Sequence, residues 1–251
     1  MSVPAEWAVV TGATGAIGPA IVDVLLNHGL SILAVARSAE DLDRLVAGRH
    51  GVVACPADLG SDDAIEIIRR AVPGPVAAAV HAAAAPVGGS ILEVSPRGMS
   101  LAVDVKVNGA LRLVRGIDPF LAPSARIVLI TGNLAYDPVP GGATSGAANA
   151  ALANVAKQLH AAYASRPAFV YAVAPGPVET PRLRRLAADR AAAAGITEEE
   201  MLDTMRRESP SGRFTTVDEV AWAVGLLMSP HAAALAGSTL LLDSGRRTSI
   251  I

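Results

Sequence analysis

The stretch Thr11-Gly12-Ala13-Thr14-Gly15-Ala16-Ile17-Gly18 stands between a short apolar run, residues 7–10, and an amphipathic run, residues 17–28. A strand, a glycine-rich turn and a helix, in that order, form the fingerprint that receives the pyrophosphate of a dinucleotide. Gly12 permits the tight turn. The small residues Gly15 and Ala16 let the backbone come close to a phosphate, and Gly18 lets the helix pack on the strand. Thr14 and Ile17 complete the turn, where free N–H groups at the helix start attract an anion. A tight turn without a ligand is the other reading of these residues.

Outward from this turn the pattern repeats. Apolar runs at 31–36, 52–54, 76–81, 126–131, 168–173 and 238–242 join 7–10 as expected strands, each nearly continuous in apolar residues. Such runs belong to strands covered by helices on both faces. Helical periodicity fills the gaps at 17–28, 39–47, 62–71, 99–115, 146–164 and 217–228. Gly29 follows the first of these as a C-terminal stop, and Asp218 and Glu219 suit the first turn of the last. The expected fold is α/β: a Rossmann-like, doubly wound parallel sheet of about seven strands in one domain over residues 1–251. Residues 180–212 depart from the rhythm, with Pro181, an Ala- and Arg-rich stretch, Gly195, the acidic run 198–200 and Pro210. They read as one or two excursion helices that form a substrate lid, or as a solvated insertion.

Composition narrows the chemistry. The chain of 251 residues is 51% hydrophobic and 18% charged, which suits a large core. It contains no run of about 20 uncharged apolar residues, so no membrane helix is expected. The first seven residues include Glu6 and lack the basic and apolar segments of a signal peptide, and the expected location is the cytoplasm. A net charge of −2 speaks against nucleic acid. The single Cys55 and five scattered histidines show no metal-ligand spacing. Lys106 and Lys157 are the only lysines among the 21 cationic residues.

Further motifs carry a resemblance over almost the whole chain. Asp58-Leu59, His81-Ala82-Ala83-Ala84, Pro175-Gly176-Pro177-Val178-Glu179-Thr180 and Leu242-Asp243-Ser244-Gly245 accompany the glycine turn. Together they are similar to the short-chain dehydrogenase/reductase family. The resemblance implies that Asp58 and Leu59 meet adenine, and that His81, Ala82 and Ala83 border the adenine and ribose side. It implies that Thr131 and the loop of Pro175, Gly176, Val178 and Thr180 meet the nicotinamide end. A homodimer or homotetramer, built through the helices around 99–115 and 146–164, and a small-molecule substrate are implied as well. The cofactor follows from charge. Where an NAD enzyme carries an acidic residue after the second strand, this chain has Ala36 followed by Arg37 and Ser38. Guanidinium can bond a 2′-phosphate that a carboxylate would repel, so NADP(H) is expected over NAD(H). Arg37 as a solvated surface residue is the alternative.

The family's Asn–Ser–Tyr–Lys set is not matched. Aligned by LITGNLAY (129–136), SGAANAAL (145–152) and DVKVNGAL (104–111), the serine position holds Gly132, the tyrosine position Ser145, the lysine position Asn149 and the asparagine position Lys106. No Tyr-x-x-x-Lys occurs in the chain. Lys106 could donate the proton in place of tyrosine, since burial lowers a lysine pKa, or it could be structural. Ser145 could orient a substrate and Asn149 could bond the nicotinamide ribose. His81 reads more readily as a packing residue than as a catalyst. Arg182, Arg184 and Arg185 could meet an anionic group, with surface exposure as the plainer reading. The expected function is an NADP(H)-dependent carbonyl reductase of specialised metabolism with a non-standard or substrate-assisted proton donor. Two alternatives stay open: a cyclase, dehydratase or isomerase on this scaffold, and a non-catalytic cofactor-binding subunit.

Overall fold

The computed structural model describes residues 6–166 and 168–247; the termini of the expected domain, and most of the stretch read for a signal peptide, lie outside them. Strands β1 Trp7–Thr11, β2 Ser31–Ala36, β3 Val52–Pro56, β4 Val76–His81, β5 Leu121–Ile130, β6 Ala168–Pro175 and β7 Thr239–Leu242 make a parallel sheet. Its order is β3-β2-β1-β4-β5-β6-β7. Helices α1 Gly18–Asn27, α2 Ala39–Val46, α3 Asp63–Ala71, α4 Pro96–Val103, α5 Gly109–Ile117, α6 Ala143–Ala162, α7 Pro181–Ala194, α8 Glu198–Arg207 and α9 Val217–Leu226 complete the described elements named here.

Alternation along the strands explains the two cores. Val9, Ile127 and Leu129 point to one face, against Ile68 of α3, Leu113 of α5 and Leu152 of α6. Their neighbours Ala8, Val10, Val128 and Ile130 point to the other, against Ile21 and Leu25 of α1 and Val224 of α9. Successive residues of a strand face opposite sides, so a sheet covered twice buries most residues of its central strands. That is why the strands read as unbroken apolar runs. Arg112 is buried on α5 and donates to the Leu59 carbonyl and to Asp62, which fastens α5 to the β3–α3 connection.

Two elements differ most from their expected form, and residues 180–212 take the two-helix form expected of them. β5 begins at Leu121 instead of 126, and its ladder with β4 jumps from Val76↔Leu121 to Ala78↔Arg126. The extra residues bulge at Ser124, whose φ is 63°, and Pro123 and Ser124 break the apolar run that would have betrayed the strand. The helix expected at 99–115 is α4 and α5 joined by a π-helical turn, Asp104–Asn108. It starts earlier, at Pro96, because the Ser95 side chain caps it by accepting from the Gly98 N–H. Residues 180–212 hold two helices, α7 and α8, with a small core of Leu183, Ala187, Leu202, Met205 and Phe214.

Gly12 combines a left-handed φ with a close approach of backbone. Its φ is +70°, and a Cβ there would lie 2.7 Å from the Ala83 nitrogen and 2.8 Å from the Ala82 carbonyl carbon. Gly48 has a similar φ of +75° with nothing within 4 Å. Urea unfolding should therefore separate the two: Gly48→Ala costs roughly 1 kcal/mol of left-handed strain, whereas Gly12→Ala adds overpacking and costs about 2–4 kcal/mol in all. Equal losses in the two variants would refute the close approach.

Candidate functional site

The strand order reverses between β1 and β4, and ligands of open α/β sheets bind outside the carboxyl ends of the strands at such a point. Here the glycine turn leaves β1. The Ala82 N–H donates to the Thr11 carbonyl, which brings the exit of β4 against the turn. Gly15 donates to Gly12 and Gly18 to Gly15, while the N–H groups of Thr14, Ala16 and Ile17 take no partner among the described residues. Helix α1 has no side-chain cap. A Cβ on Gly18 would lie 2.2 Å from the Ala13 carbonyl oxygen, so the helix starts as close to the strand as a backbone allows. Unclaimed donors on a compact helix start fit a pyrophosphate.

On the β2 side, Arg37 is exposed and makes no ion pair among the described residues. Ser38 caps α2 by accepting from the Asp41 N–H. Asp58 is exposed, with one carboxylate oxygen accepting from the Gly60 N–H; Leu59 is buried beside it. These groups fit the adenosine end of a dinucleotide. At the opposite end, the Gly176 N–H donates to the Leu242 carbonyl, and Pro177 and Glu179 bond Thr215 through their backbones. Thr180 caps α7, accepting from Leu183. The loop of Pro175, Gly176, Val178 and Thr180 is thereby fixed between β7 and α9.

His81 is a packing and hydrogen-bonding residue, the reading the sequence favoured. Its ring is fully buried; Nε2 donates to the Lys106 carbonyl at 3.1 Å, and Nδ1 accepts from the Thr11 hydroxyl at 2.9 Å. Burial first, and then the charge of Lys106, push its pKa down to about 3. It is a neutral strut, and only the backbone of Ala82 and Ala83 beyond it borders the turn. The strut holds the π-turn. A π-turn inserts a residue into the helical ladder and re-aims a side chain, and this one presents Lys106 to a cleft of about 140 Å³. Lys106 is 8% exposed, and its ammonium has no hydrogen-bond or ion-pair partner among the described residues. Burial, then the nearby Arg182, lower its pKa from 10.5 to about 8. Asn108 is exposed and bonds Asp104, turned from the cleft.

Thr131, Ser145 and Asn149 line the same cleft as Lys106. A Cβ on Gly132 would lie 2.6 Å from the Asn149 amide nitrogen, so the amide of Asn149 fills the space that a side chain at 132 would take. Thr131 donates to the Val173 carbonyl. The cleft also draws a residue from α7: Arg182, whose guanidinium lies 3.4 Å from the Ser145 hydroxyl. Within its arginine-rich stretch nothing in the sequence distinguishes Arg182 from Arg184, which pairs with Glu198. Only the placement of α7 does so. Among the described residues, no helix is long and apolar enough to cross a membrane.

Comparison with known proteins agrees with this architecture. The family described as enoyl-(acyl carrier protein) reductase matches residues 12–247. An uncharacterised short-chain type dehydrogenase/reductase of Sinorhizobium fredii is 28% identical over 249 residues, covering 96% of this chain; the chain spans 44% of that protein's length. A putative ketoacyl reductase of Streptomyces coelicolor is 30% identical over 251 residues, covering 96% of each chain. The solved structure of a variant actinorhodin polyketide ketoreductase with NADPH superposes with a TM-score of 0.90 at 27% identity, covering 99% of this chain and 100% of that one. The chain belongs to the short-chain dehydrogenase/reductase family of oxidoreductases.

Proposed function

We propose that the protein is an NADP(H)-dependent carbonyl reductase of specialised metabolism in which Lys106 delivers the proton. The observation that carries this reading is the convergence of Lys106, Ser145, Asn149 and Thr131 on one cleft beyond the glycine turn. Relatives named for ketoacyl reduction, and a solved ketoreductase with NADPH, support it. A bound nicotinamide supplies the hydride that adds to the carbonyl carbon. The other tasks fall to this chain. Arg37 and Ser38 hold the 2′-phosphate, Asp58 and Leu59 border adenine, and Gly12 to Gly18 cradle the pyrophosphate. Asn149 bonds the nicotinamide ribose and Ser145 donates to the carbonyl oxygen. The Lys106 ammonium, with a pKa of about 8, is an acid matched to neutral pH. It passes a proton to the oxygen as negative charge develops there and regains one from water. Residues 180–212 act as the lid. The working form is a cytoplasmic homodimer or homotetramer, as the family resemblance implies.

Two measurements test the assignment. In fluorescence titration, Arg37→Glu should weaken NADPH binding by about 10–100-fold, the worth of a charge-assisted hydrogen bond, and leave NADH binding almost unmoved. Equal effects on both cofactors would remove Arg37 from the 2′-phosphate. In NADPH oxidation with a panel of small ketones and oxo esters, the wild-type rate should be flat below pH 8 and fall above it as Lys106 loses its proton. Lys106→Met should lower the rate about 10²–10⁴-fold and abolish that limb; survival of the limb would assign the donor elsewhere.

Stability supplies an independent sign. The folded-state pKa of Lys106 lies below 10.5, so the folded protein binds fewer protons than the unfolded chain between about pH 8 and 10.5, and stability rises with pH across that window. Below pH 8 the unpaired buried ammonium weakens the fold by its full amount. Lys106→Met should therefore raise the melting temperature at pH 7 while lowering activity. A lower melting temperature there would mean that the lysine is a structural residue.

A further inference from the structure

The charge around the cleft is one-sided. Lys106 is buried at its floor and Arg182 stands at its mouth, yet no aspartate or glutamate lines it. Arg182 makes no ion pair among the described residues, and its one polar contact is the 3.4 Å approach to Ser145. The remaining walls include Ala84, Ala85, Val87 and Ala102, which are apolar and small. A buried cation with no counter-charge is costly, and two cations in one apolar cleft repel each other. Both penalties are relieved by one negative charge brought from outside.

From this arrangement, and resting on the carbonyl-reductase reading above, we propose that the substrate is a short oxo acid whose carboxylate is gripped by Arg182 while its oxo group lies against Lys106. The guanidinium is a planar fork matched to a carboxylate. Capping by Thr180 sets the start of α7, and with it the place from which the arginine reaches. The cleft offers about 140 Å³, close to the volume of a cavity that takes benzene, which suits a short acid. An uncharged ketone of the same size would leave both cations uncompensated. Arg182 is thus a specificity residue that selects the substrate by charge, separate from the proton donor.

The test is calorimetric titration of the NADP⁺-loaded protein with acetoacetate and with methyl acetoacetate, on wild type, Arg182→Met and Arg182→Lys. NADPH affinity is measured by fluorescence on each. The wild type should bind the acid at least about tenfold tighter than the ester. Arg182→Met should remove about 10–100-fold of the acid's affinity and leave the ester's unchanged, with Arg182→Lys between them. NADPH affinity should not move. Equal binding of acid and ester, equal losses in the variant, or no measurable binding of the acid would overturn the proposal. So would a loss of NADPH affinity in Arg182→Met, which would assign the arginine to the cofactor's phosphates. Selective acid binding without NADPH oxidation would uphold the anion grip and sink the reductase reading. Oxidation of NADPH by both compounds, with no preference in binding, would do the reverse.

Discussion

Both ring nitrogens of His81 are engaged inside the protein, one by the hydroxyl of Thr11 and the other by the carbonyl of Lys106. These bonds join the end of β1, the end of β4 and the π-turn between α4 and α5. The first of these launches the glycine turn, and the last aims the buried lysine. A neutral ring suits the arrangement, because an imidazolium would set a second positive charge beside Lys106. Burial and the lysine's own charge keep the ring neutral, with a pKa of about 3. The strut and the cation it positions are therefore electrostatically coupled: the lysine's charge helps to keep its own support neutral.

The substitutions around the cleft form a coupled set. A side chain at position 132 would collide with the amide of Asn149, which lies 2.6 Å from the place of its Cβ. Glycine at 132 and asparagine at 149 therefore need one another. With an uncharged residue at 149 and Ser145 one helical turn before it, α6 brings no charge to the cleft. Positive charge comes instead from the π-turn below and from α7 above, through Lys106 and Arg182. In the proposed reaction, proton delivery and charge attraction would be divided between two elements, the π-turn and α7, that both line the cleft.

Most of the sheet was legible in the sequence because burial on both faces leaves a run of apolar residues no polar alternative. The exceptions have local causes. The first half of β5 hides behind Pro123 and Ser124, where the ladder bulges. The π-turn is invisible because Val105 and Val107 fit ordinary helical periodicity, and one extra residue per turn changes no composition. The site was legible where backbone geometry demands a residue type, as at Gly12 and Gly18, or where a rare residue stands out, as Lys106 does. His81 is the packing and hydrogen-bonding residue that the sequence favoured, because strand parity turns its ring into the core. Arg182 was one arginine among several, and it reaches Ser145 across 37 residues of chain. No local pattern encodes that distance.

The segment that carries Arg182 is weakly held compared with the sheet it overlies. Its core is the small cluster around Leu183, Leu202 and Met205, and the Arg184–Glu198 pair at 3.6 Å is largely exposed and contributes little. Its two ends, by contrast, are tied down. Near one end the Val178–Thr215 bridge pins the loop before α7; at the other, the Ser209 hydroxyl bonds the Ser244 carbonyl and Glu208 pairs with Arg246. A segment with fixed ends and a thin core opens at lower free energy than the sheet. A single charge-assisted contact at its first turn is then enough to bias it. Under the proposed anion grip, carrying the cleft's second cation on α7 rather than on a strand would couple recognition of the anion to closure over it.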